Sequence, residues 1–225
     1  MRLPGAGAGA ALTPPRSPHP TPRYHRRAVV EKLGDPSAEL EFVARVLELD
    51  AKNYHAWAHR QWALLTYGGA LWDGELDFAA GLLQLDVRNN SAWNHRWFVV
   101  TREATPAPPA AASRELDFAF AAIVRAPNNE SPWNYVRAYL RAAAYADAEA
   151  VAKVLAFCDA LPDKTAHAKD CPHLFAMLAD VHEAAATDDG RAKAAALHRH
   201  LATLDAVRRH YWEAKARENE GGARR

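Results

Sequence analysis

Lys52, Tyr54 and His55 stand within four positions of one another, and Arg88, Asn89 and Asn90 follow one repeat period later. An ammonium, a guanidinium and two amides are donors suited to an anion docked beside them. A lysine at the start of a helix runs against the macrodipole preference, so Lys52 alone reads as a solvated charge. Its interest lies in the neighbourhood: the third repeat carries Asn128 at the same place. His55 and His59 have the i,i+4 spacing of a helix-borne metal pair, but zinc takes four ligands or three plus water. No third ligand follows at suitable spacing, and His95 repeats the position of His59. No metal site is therefore assigned to the chain. Cys158 and Cys171 lack a CxxC spacing, and the sequence contains no Gly-rich phosphate loop, GxSxG or HExxH. These residues form no self-contained catalyst.

The elements that must position them repeat. Glu39-Leu40-Glu41-Phe42, Glu75-Leu76-Asp77-Phe78 and Glu115-Leu116-Asp117-Phe118 start 36 and 40 residues apart. Leu40 to Trp57, Leu76 to Trp93 and Leu116 to Trp133 are each 17 residues. Constant offsets within a unit and variable lengths between units describe stacked helix hairpins. In each unit Asn53, Asn89 or Asn129 caps the second helix, the tryptophan fills the space between hairpins, and Arg60 or Arg96 binds the neighbouring unit. Trp57, Arg60, Trp93, Arg96 and Trp133 are thus read as structural repeat residues. Asp35-Pro36 and Asp73 are expected to cap the first helices of their units, and Gly68-Gly69 to end a second helix. Tyr24-His25-Arg26-Arg27 matches the register of Ala58-His59-Arg60-Gln61, which marks a truncated unit with Arg23 at the tryptophan position. Further helices are expected at Asp147–Ala160, His173–Ala186 and Arg191–Arg217. The fold class is all-α, an α-α superhelix or right-handed solenoid of antiparallel hairpins.

Composition agrees. The 225 residues carry 28 Lys and Arg against 27 Asp and Glu, a net charge of +1 that lacks the basic surplus of a nucleic-acid partner. No apolar run reaches the ~18–20 residues of a membrane span. Two cysteines suit a reducing compartment, and the expected location is cytoplasmic. Six of the 14 prolines fall in residues 1–22, a segment with no acidic residue that reads as a disordered leader. Residues 23–217 form the repeat domain, and 218–225 are expected to fray as a disordered tail.

The segment Asp50-Ala51-Lys52-Asn53-Tyr54-His55-Ala56-Trp57-Ala58-His59-Arg60-Gln61-Trp62 resembles the α-subunits of the protein farnesyltransferase and geranylgeranyltransferase type I family. So do Asp86-Val87-Arg88-Asn89-Asn90-Ser91-Ala92-Trp93-Asn94-His95-Arg96, Asn129 to Tyr135, and Tyr211-Trp212. The resemblance implies a crescent wrapped around a catalytic β-subunit. The pair would transfer farnesyl or geranylgeranyl from its diphosphate to the cysteine of a C-terminal CaaX motif. It implies zinc in the β-subunit and magnesium for the heterodimer, with no cofactor bound by this chain. Lys52 matches the family's lysine beside the departing diphosphate. Tyr54, His55 and Asn89 match positions tied to substrate. Family members carry further units before the segment that begins here at Tyr24, so an N-terminally shortened form is expected. Two alternatives fit the repeat: a non-catalytic helical scaffold, and the α-subunit of Rab geranylgeranyltransferase.

Overall fold

Each hairpin begins where the corner sequence gives the backbone no further helical bond. The computed structural model describes residues 22–102 and 109–222; the leader up to residue 21 and most of the 105–109 loop lie outside the described residues. The described helices are α1 (Pro22–Leu33), α2 (Glu39–Leu49), α3 (Tyr54–Tyr67), α4 (Glu75–Leu85), α5 (Asn90–Thr101), α6 (Pro109–Arg125) and α7 (Glu130–Ala142). They continue as α8 (Ala148–Lys164), α9 (Pro172–Ala184), α10 (Asp188–Leu204) and α11 (Arg209–Gly222). Among the described residues there is no strand. The pairs α2/α3, α4/α5 and α6/α7 are the three repeat units, α1 is the second helix of a preceding one, and α8 to α11 pack on the far end.

The second helix of every unit starts as the sequence predicts. Asn53 Oδ1 accepts from the backbone N–H groups of His55 and Ala56, both at 3.1 Å. Asn89 does the same for Ser91 and Ala92 at 3.1 and 3.2 Å, and Asn129 accepts from Ser131 at 3.3 Å. These bonds satisfy N–H groups that no helical carbonyl can reach. The first helices start differently from expectation. Asp35 Oδ1 accepts from Ser37 N at 2.9 Å in a turn ahead of α2, which begins at Glu39. Asp73 likewise precedes α4; Gly74 enters it with φ +80°, a left-handed conformation glycine adopts without a Cβ clash. Gly68, at φ +59°, ends α3 as predicted.

Two differences mark the C-terminal end. The single helix expected over Arg191–Arg217 is two, because Asp205 interrupts it: its carboxylate accepts from Arg208 N at 3.2 Å and from Trp212 Nε1 at 3.1 Å. The turn lets Trp212 fold back and pack with Leu201 and Ala202. The tail expected to fray from residue 218 is helical through Gly222. Asn219 holds it there by donating to Glu183 Oε1 at 2.5 Å.

The core runs the length of the stack. Val43, Leu47, Leu83, Leu116, Ile123 and Leu140 are buried with the three repeat tryptophans. The first two indoles pack against the next unit's first and second helices: Trp57 against Phe78 and His95, with centroids 6.1 and 4.9 Å apart, and Trp93 against Phe118 and Tyr135 at 5.5 and 5.0 Å.

Candidate functional site

The corners carry the residues that the sequence reading offers to an anion, and two hydrogen bonds to one carbonyl pin the first of them. Ala51 O accepts from Trp57 Nε1 at 3.0 Å and from Asn89 Nδ2 of the next unit at 3.3 Å. On its other side Lys52 N donates to Asp50 Oδ1 at 3.2 Å. The next corner repeats the design: Val87 O accepts from Trp93 Nε1 at 2.9 Å and Asn129 Nδ2 at 2.8 Å, while Arg88 N donates to Asp86 Oδ1 at 2.8 Å. Neighbouring corners are therefore joined through asparagine side chains, as the side-by-side rim requires.

From this pinned backbone the Lys52 side chain projects into solvent with no ion pair or hydrogen bond to a described residue. Tyr54 is 76 % exposed, and its ring meets His55 edge-on with centroids 5.4 Å apart. Lys52, Tyr54 and His55 are all exposed on this corner, and Arg88 and Asn90 are exposed on the adjoining one. Asn89 departs from the expectation. It is 1 % exposed, and both its amide atoms are engaged, Oδ1 in the α5 cap and Nδ2 on Ala51. It holds the corner that carries Lys52 and offers no donor to solvent.

His59 is likewise unavailable to a metal, since its Nε2 lies 2.6 Å from Glu39 Oε2. Cys158 and Cys171 are buried thiols, and burial pushes Cys158 up to about 12. Among the described residues no group of three or more His, Cys, Asp or Glu could hold a metal ion. The zinc and magnesium implied by the family resemblance thus have no fitting ligand set among the described residues.

The repeat arginines do more than the spacing indicated. Arg60 makes a two-pronged bond to Glu75 at 2.9 and 2.5 Å, donates to Leu40 O at 2.9 Å, and lies 3.6 Å over the Phe78 ring. Arg96 repeats this on Glu115, Leu76 O and Phe118. The same carboxylates accept from the second helix of their own unit: His95 on Glu75 at 2.7 Å and Tyr135 on Glu115 at 2.7 Å. Arg26 on Glu39, beside His59, completes the series at the N-terminal end, as the truncated-unit register predicts. Burial alone would raise the Glu75 carboxyl, but hydrogen bonds from His95 and Arg60 and their charges outweigh it and hold the pKa below 4.5. Glu39 is lowered in the same way by Arg26 and His59. Sequence reasoning missed these glutamates, although their identical phase in all three units was the available signal. Arg137, displaced by one position, leaves the series and pairs instead with Asp180 of α9.

Comparison with known proteins agrees with this geometry. The protein prenyltransferase alpha subunit repeat matches residues 36–67, 72–103 and 112–143, the three hairpins. The chain is 38 % identical over 184 residues to the Dictyostelium discoideum protein farnesyltransferase/geranylgeranyltransferase type-1 subunit alpha, covering 80 % of this chain and 44 % of that protein. A chain of Candida albicans protein geranylgeranyltransferase-I complexed with GGPP superposes with a TM-score of 0.71 at 22 % identity, over 88 % of this chain and 66 % of that one. The chain thus spans less than half the length of the Dictyostelium relative. The three hairpins built on this joint are thus each similar to the protein prenyltransferase alpha subunit repeat.

Proposed function

We propose that this chain is the α-subunit of a cytoplasmic heterodimeric protein prenyltransferase of the farnesyltransferase/geranylgeranyltransferase type I kind. In that role it scaffolds a β-subunit, and the complex transfers farnesyl or geranylgeranyl from its diphosphate to the cysteine of a C-terminal CaaX sequence. The observation that carries the reading is Lys52: an exposed ammonium without an internal partner, on a corner clamped through Ala51 by Trp57 and Asn89. As the carbon–oxygen bond to the diphosphate breaks, negative charge grows on the departing oxygens. A cation already fixed beside them lowers that barrier without reorganising. In this reading Tyr54 and His55, two and three residues further on, contact substrate, and Asn89 is a positioning residue for the corner. In this reading zinc and magnesium are supplied in the assembled complex.

The test is Lys52→Ala in the chain co-expressed with a β-subunit. Turnover should fall roughly 10²–10³-fold, as for loss of one donor to developing charge, while the yield of 1:1 complex is unchanged. Turnover at the parental rate would remove Lys52 from the reaction.

A further inference from the structure

At the N-terminal end of the stack lies an open, apolar cavity of about 200 Å³ between α2 and α3, with Phe42, Val46, Ala56 and His59 on its walls and Asn53 and Arg26 at its edge. Its walls recur in the next unit as Phe78, Leu82, Ala92 and His95, and there the same space holds the indole of Trp57. One unit further on, Phe118 and Tyr135 receive Trp93. The residue in register with those tryptophans is Arg23. The slot is thus shaped by the repeat for an indole that this chain does not encode at that position.

Two further observations mark it as unmet. Asn89 and Asn129 each donate Nδ2 to a carbonyl of the preceding corner, at 3.3 and 2.8 Å, whereas Asn53 uses only Oδ1, in the α3 cap. The Arg26 side chain is 35 % exposed where those of Arg60 and Arg96 are 4 % and 8 % exposed. We propose that this slot is a docking site for a tryptophan side chain of a partner polypeptide. The indole would lie between Phe42 and His59, and a backbone carbonyl of the partner would accept from Asn53 Nδ2. Residues 1–21 contain no Trp, Tyr or Phe, so they supply no such ring.

N-acetyl-5-fluoro-L-tryptophanamide titrated into the full chain and followed by ¹⁹F NMR tests this. A ligand of this size is expected to saturate with a Kd on the order of 0.1–1 mM. Ala56→Leu and Val46→Phe, which fill the slot from its α3 and α2 walls, should each weaken binding at least about tenfold. Circular dichroism of both variants checks that the helices persist, and two variants entering from opposite sides guard against one failing to fold. The corresponding leucinamide should bind at least about tenfold more weakly, because it cannot bridge Phe42 and His59. Absence of saturable binding to the parent chain overturns the proposal. So does binding that survives either folded variant, or equal binding of the leucine analogue.

Discussion

Replacing Glu75 by glutamine probes the joint between the first and second units. The substitution keeps the shape and one acceptor but removes the charge facing Arg60, whose side chain is 4 % exposed, and His95, whose side chain is fully buried. A buried guanidinium left without its counter-charge cannot recover hydration. Breaking such a pair from one side costs about 3–5 kcal/mol. For a domain of this size that corresponds to a fall in Tm of roughly 6–20 °C. Glu39→Gln removes the same kind of carboxylate, but Arg26 is 35 % exposed and water takes over part of its solvation, so the cost should be nearer ~1 kcal/mol. Urea unfolding followed by circular dichroism compares the two. The acid limb offers a second readout. Because the Glu75 carboxyl is depressed when folded, the native state binds fewer protons than the unfolded one. Its contribution is complete above the unfolded value of 4.5 and disappears as pH falls through the folded value. Glu75→Gln should therefore flatten stability against pH below about 4.5. Equal losses from the two substitutions, or an unchanged acid limb, would refute burial of the charge as the source of the effect.

Two other expectations follow from the packing. A Cβ built on Gly190 would sit 2.5 Å from His182 O and 3.0 Å from Thr187 Oγ1, so Gly190→Ala should destabilise by about 1–3 kcal/mol, measured as a lowered urea midpoint. Cys158 and Cys171 are 2 % and 0 % exposed with thiols pushed upward by burial, so both should resist a thiol reagent at neutral pH until the chain is unfolded in urea; rapid labelling of the native chain would contradict this.

The repeat was legible because its signals are local and of constant spacing. Asn53, Asn89 and Asn129 each cap the helix they begin, and a tryptophan four residues on fills the seam at the same depth. Lys52 and Tyr54 were legible as unit-specific departures at a repeated corner. What stayed hidden was a matter of burial. A glutamate in the first turn of a helix suits the macrodipole and reads as solvated, so only their common phase set Glu39 and Glu75, with Glu115, apart from surface carboxylates. With the carboxylates unrecognised, the partner of His59 stayed unseen, and Asn89 read as an exposed donor because its bond to Ala51 O forms only when the units stack. The break at Asp205 was missed because neither glycine nor proline marks it; the reason for the turn is Trp212, brought near only by folding.

The seam between consecutive hairpins is chemically the same object each time: a guanidinium from behind, a carboxylate, an aromatic face. Such a coupling makes units interchangeable parts. Excising residues 72–103 with their linker would present Arg60 to Glu115 and Phe118, the partners Arg96 now has. Lineages of this architecture can therefore lengthen or shorten by whole modules without redesigning the connection, while any fractional change would leave a cation stranded in the interior.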